Sequence, residues 1–134
     1  MRKAEQKLWD AMRSNIPAGW WVQRVENVVT DGMPDVFVAS PRGTQTWVEL
    51  KAPKPRARRT TPLLSASEGL RVSQVNWHLK AALRQIRTYV LVRVSGKLYL
   101  LPGDKAEEIN EWNTEACERW SCASTWQELW EELI

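Results

Sequence analysis

The chain has 134 residues, 26% charged and 43% hydrophobic, with a formal net charge of +3. It is long enough to bury a core as one domain, and no apolar run approaches the ~18 residues that a membrane crossing needs. Two cysteines and a lone His78 cannot build a four-ligand zinc site, and the charged, amphipathic start MRKAEQKLWDAM lacks a signal-peptide core, so a cytoplasmic protein with free thiols is expected.

Residues 3–14 place Ala4, Leu8, Ala11 and Met12 on one helical face, and Ile16-Pro17-Ala18-Gly19 ends that helix. A strand is expected over 20–29, bent near Glu26-Asn27, then a turn at Thr30-Asp31-Gly32-Met33-Pro34. Two strong strands follow, Asp35–Ser40 and Thr44–Ala52. Residues 53–70 show no clear periodicity. A helix is expected over 73–86, capped by Ser73, with Val72, Val75, Leu79, Leu83 and Ile86 as its apolar face. Tyr89–Val94 and Lys97–Leu101 form a hairpin about Ser95-Gly96. Further helices are expected near 104–112 and 125–133. The order α-β-β-β-α-β-β-α predicts a mixed sheet flanked by helices, an α/β fold in a single domain over 1–134. Its core would cover about 1–101, with an acidic, Trp-rich extension over 102–134. Charge divides the same way. Residues 1–102 carry 17 Lys and Arg against 7 Asp and Glu, and 103–134 carry 2 against 9. A basic body suits a polyanionic ligand.

Between the two strong strands, Pro41-Arg42-Gly43 reads as a three-residue hairpin loop with Gly in the left-handed position. Ser40 then faces Thr44, and counting back sets Asp35 opposite Glu49. Lys51 lies two residues beyond Glu49 on the same face. Two carboxylates about 5 Å apart repel by roughly 3 kcal/mol at an effective dielectric near 20. Lys51 offsets part of that, and a divalent cation offsets more, with the Leu50 carbonyl near enough to add an oxygen.

Gly32-Met33-Pro34-Asp35, then Glu49-Leu50-Lys51, then Gln74 on the following helix, resembles the PD-(D/E)XK nuclease superfamily over roughly residues 24–94. The pattern is most similar to its VRR-NUC branch, often found as small stand-alone phage proteins. The resemblance implies a restriction-endonuclease-like core and a Mg²⁺- or Mn²⁺-dependent DNA endonuclease in a bacterial or phage-infected cell. It implies that Asp35, Glu49 and the Leu50 carbonyl hold the metal, that Lys51 orients or activates water, and that Gln74 completes the site. Many members carry a further Glu on the first helix. Glu5 is the candidate here, with Glu26 as its competitor. The resemblance also implies cleavage of branched or junction DNA. The other readings are a non-catalytic DNA-binding module on the same fold and a sequence-specific restriction-type enzyme.

The irregular segment after Lys51 carries Lys54, Arg56, Arg58 and Arg59, and is expected to grip phosphates. His78, one turn beyond Gln74, could help with proton transfer but is expected to be a solvated or packing residue, and Asp31 a turn residue. Trp126, Leu129, Trp130 and Leu133 form an apolar stripe that serves either the domain's own core or a homodimer contact, with Leu8 and Trp9 as the other dimer surface.

Overall fold

The structure, a computed structural model, describes residues 3–26 and 31–134. Five strands form one sheet in sequential order: β1 (Trp21–Arg24), β2 (Val36–Ala39), β3 (Gln45–Lys51), β4 (Thr88–Val94) and β5 (Lys97–Pro102). All neighbours are antiparallel except β3 and β4, which run parallel. A parallel pair needs a crossover, and α2 (Val72–Leu83) provides it. Of the strand expected over 20–29, only Trp21–Arg24 is strand, and 27–29 lie outside the described residues.

The hairpin register is the one that the loop dictates. Val36 pairs with Val48 and Ala39 with Gln45. Gly43 takes φ +85°, and the Ser40 and Thr44 backbones bond across the loop mouth at 2.9 Å. Side-chain alternation then splits the sheet into two unlike faces. One carries Val36, Val38, Val48, Leu50, Leu91 and Leu100. It is covered by Leu8, Trp9 and Met12 of α1 (Lys3–Ser14) and by Leu129, Trp130 and Leu133 of α5 (Trp126–Leu133). Each such leucine contributes roughly 1.5–3 kcal/mol on burial. Both surfaces considered for a dimer are therefore spent on the domain's own core.

The opposite face carries Val90, Val92, Tyr99 and Leu101. These pack against Leu63, Leu64 and Leu70 of the irregular segment and against the extension. The extension folds as α3 (Ala106–Ile109), α4 (Thr114–Trp120) and α5. The helix expected near 104–112 is α3, and α4 was not expected. Asn113 marks the break, its Oδ1 accepting the Ala116 N–H at 2.9 Å as an N-cap. Toward β1, this same sheet face is half open, with Trp21, Phe37, Trp47 and Trp77 in a row of ring contacts at 5.1–5.8 Å between centroids.

Two expectations for α2 are corrected. Its N-cap is Arg71, not Ser73. Its buried side chains are Gln74, His78 and Ala81, whereas Val72, Leu83 and Ile86 are 78%, 83% and 44% exposed. The helix turns polar groups inward because the sheet beneath it presents Glu49 and Thr88, not a purely apolar surface.

Candidate active site

The β2–β3 register is decisive for the site. Continued by one residue beyond Val36 and Val48, it sets Asp35 against Glu49; continued by two, it sets Pro34 against Leu50. Proline has no N–H, so the ladder ends there. The Leu50 N–H instead donates to Asp35 Oδ2 at 2.7 Å. Within a strand, the N–H and C=O of one residue point to the same side. The Leu50 carbonyl is thus aimed at the edge where Asp35 sits, opposite a residue with no donor to offer it. Gly32, in the turn before Asp35, lets that turn pack closely against the start of α2. It has φ +86°, and a Cβ on it would collide with the Ser73 carbonyl at the start of α2.

Glu49 is 1% exposed. Its Oε2 accepts from Gln74 Nε2 at 3.1 Å, while its Oε1 is buried with no hydrogen-bond partner. Burial, then the nearby Asp35 carboxylate, pushes its pKa well above the usual carboxylate range. Lys51 pulls it down, and Glu5 adds a smaller upward push. Leaving a buried carboxylate oxygen unsatisfied is costly. A hard divalent cation fits this donor set: two carboxylates, one backbone carbonyl and room for water.

Lys51 ends β3 and reaches two oxygens, the Gly69 carbonyl and Gln74 Oε1, both at 3.2 Å. Gln74 Oε1 also accepts the Arg71 N–H at 2.9 Å, a helix start bracing itself. The amide of Gln74 is thereby fixed at both ends, between Glu49 and Lys51. These groups line a cleft of about 560 Å³, whose walls also include Glu5, Arg24, Glu26, Asp31 and Glu68. Arg24 lies 3.6 Å from Asp35 Oδ1, a cation beside the acid pair that sequence reading did not single out. Among the described residues, no three His, Cys, Asp or Glu side chains converge on one point. Glu5 is on the cleft wall but is not gathered into a third-carboxylate cluster, and Glu26 is exposed at its rim.

His78 lies behind the site, buried, with Nδ1 2.8 Å from Thr88 Oγ1. Asp31 sits in the turn and pairs with Arg71 at 3.3 Å. The four cations of the irregular segment differ in setting. Arg56 is partly buried, donating to Glu68 Oε1 at 2.8 Å and to the Leu63 carbonyl at 3.1 Å. Arg59 reaches Glu118 in the extension at 3.1 Å, on the surface. Lys54 and Arg58 are exposed. Asn110, also unremarked in the sequence, holds Leu70 beside Gly69.

No helix among the described residues is long and apolar enough to cross a membrane. No family model and no curated protein sequence matches the chain. Among solved structures, it is similar to Hjc of Archaeoglobus fulgidus, described as a Holliday junction resolvase from an archaeal hyperthermophile. The TM-score is 0.57 at 18% identity, over 88% of this chain and 90% of that one. The five-stranded mixed sheet with its flanking helices is a restriction-endonuclease-like fold, and the chain shares it with that protein.

Proposed function

We propose that the chain is a divalent-metal-dependent DNA endonuclease of the VRR-NUC branch of the PD-(D/E)XK superfamily, selective for branched DNA such as four-way junctions. One observation carries the reading. A buried Glu49 oxygen without a donor lies beside Asp35 in a cleft that also holds Lys51. Asp35, Glu49 and the Leu50 carbonyl would hold Mg²⁺ or Mn²⁺, which when bound neutralises phosphate charge and acidifies water. Lys51, aimed by Gly69 and Gln74, orients the attacking water and stabilises charge that develops on the phosphoryl oxygens. Gln74 keeps Glu49 and Lys51 in fixed relation. The bond broken lies between phosphorus and the 3′ oxygen, leaving a 5′-phosphate. Lys54, Arg56, Arg58 and Arg59 lie in the segment that follows Lys51, outside the cleft lining itself, where phosphate contacts would position the strand as it leaves the site.

The likeness to a protein described as a Holliday junction resolvase supports branched DNA as the substrate. A four-way junction presents two strands related by near two-fold symmetry. A homodimer would match it with two sites about one axis. The test is incubation with Mg²⁺ and single-stranded, duplex, flapped and four-way DNAs of shared sequence. Preferential paired nicking of the four-way substrate is expected. Equal cutting of all four overturns the selectivity, and no cutting of any overturns the nuclease reading.

A further inference from the structure

Asn110 follows α3 in the acidic extension and spends its whole side-chain amide on one residue of another segment. Its Oδ1 accepts from the Leu70 N–H at 2.8 Å, and its Nδ2 donates to the Leu70 carbonyl at 2.9 Å. Local conformation does not demand an asparagine there, since its backbone is ordinary right-handed helix at φ −65°, ψ −15°. The residue is explained by what it holds.

Both neighbours of Leu70 touch the candidate site. Gly69 offers its carbonyl to Lys51 Nζ at 3.2 Å. Arg71 donates its N–H at 2.9 Å to Gln74 Oε1, the other oxygen that Lys51 Nζ reaches. The two acceptors of the Lys51 ammonium are thus set from either side of the residue that Asn110 clamps. Gly69 lies close against the clamp, because a Cβ on it would stand 2.7 Å from Asn110 Oδ1 and 3.0 Å from its Cγ. The surrounding segment is tied to the extension as well, with the Leu63 N–H donating to the Trp112 carbonyl at 3.0 Å and Leu70 packed in the cluster with Ile109 and Trp112.

We propose that Asn110 is a positioning residue of the active site: from the acidic extension, it fixes Leu70 and thereby the two oxygens that aim Lys51. The inference rests on the nuclease reading above and gives the extension a part in it. Bonding donor and acceptor to one backbone unit fixes its orientation as well as its place. Without the amide, Leu70 loses both of these bonds and is held to the extension by apolar packing, which resists separation better than rotation.

The test compares the parent with Asn110→Ala and Gly69→Ala, each also in a Lys51→Met background. Cleavage turnover and KM are measured, together with amide hydrogen exchange. Asn110→Ala is expected to lower kcat about tenfold, the lower range for a group that orients a site residue through its partner. KM should stay unchanged. Gly69→Ala should reproduce the loss by displacing the amide. The Leu70 amide should exchange faster, with Val90 and Leu91 unchanged. In the Lys51→Met background, Asn110→Ala should have no further effect, because the cycle isolates their coupling. A folded Asn110→Ala protein with the parent's kcat overturns the inference, as does an equal loss in the Lys51→Met background. A parent that cuts no DNA instead overturns the nuclease reading, and this inference with it.

Discussion

Gln74 donates to Glu49 at 3.1 Å and accepts from Lys51 at 3.2 Å, so one side-chain amide ties the buried carboxylate to the ammonium. This tie separates the roles of the two partners. Lys51→Met should lower cleavage by about 10²–10⁴ and leave Mn²⁺ affinity nearly unchanged. Gln74→Ala should lower both activity and metal affinity by about 10–100-fold, as loss of a ligand's orienting partner does. Cleavage kinetics beside calorimetric Mn²⁺ titration would check this. Full activity in a folded Lys51→Met protein removes Lys51 from the mechanism.

His78 carries a pH dependence of stability. Burial lowers its pKa from the ordinary 6.5 to about 4, against a weaker upward pull from Asp35. A depressed histidine is neutral when folded, and the unfolded chain takes the proton first. Its contribution is therefore complete above about pH 6.5 and is lost as pH falls toward 4. Melting temperatures of the parent and His78→Gln, measured across that window, should differ in slope, with the parent falling more steeply. Parallel curves would show that His78 does not titrate on unfolding.

The irregular segment divides between binding and bracing. Lys54→Ser with Arg58→Ser should reduce the slope of log affinity against log salt by about 2 for duplex arms, with stability unchanged. Arg56→Ser should lower the melting temperature as well, since its partner Glu68 has a side chain only 16% exposed. A parental salt slope in the double variant would take the segment out of the DNA contact.

A homodimer cannot use the apolar stripes of α1 and α5, which are buried in the domain's own core. The half-open sheet face offers a surface instead, with Trp21 59% exposed at the β1 edge beside Phe37 and Trp47. It is the face that carries Glu49 and Lys51. Sedimentation at micromolar concentration should give a dimer, and Trp21→Glu should shift it to monomer without loss of fold. A monomer on and off junction DNA contradicts the paired-site account.

The acid pair was legible because a hairpin loop is local chemistry: Pro41-Arg42-Gly43 sets a register that carries Asp35 to Glu49 over a few residues. Pro34 was legible as a turn residue, but its effect on the Leu50 carbonyl needed the register as well. The facing of α2 was misread because periodicity assumes that the buried side is the apolar side. Gln74 and His78 reverse this, since the groups that they meet on β3 and β4 are polar. The stripe of Trp126, Leu129, Trp130 and Leu133 was amphipathic on either reading. The burial of Leu129, Trp130 and Leu133 against the sheet, with Trp130 against Trp20 at 5.1 Å between ring centroids, assigns it to the core. Asn110 gave no signal, because a hydrogen bond spanning 40 residues leaves no local pattern.

Calorimetric titration of Mn²⁺ into the parent and Glu49→Gln, in two buffers of different ionisation enthalpy, tests the central claim most directly. Burial and Asp35 raise the Glu49 pKa, so protons compete with the cation for that carboxylate and proton release should accompany binding increasingly as pH falls. The parent's affinity should rise with pH, and Glu49→Gln should lose most of it. Equal Mn²⁺ affinity in Glu49→Gln, with no difference in heat between buffers, would place any metal elsewhere and contradict the account.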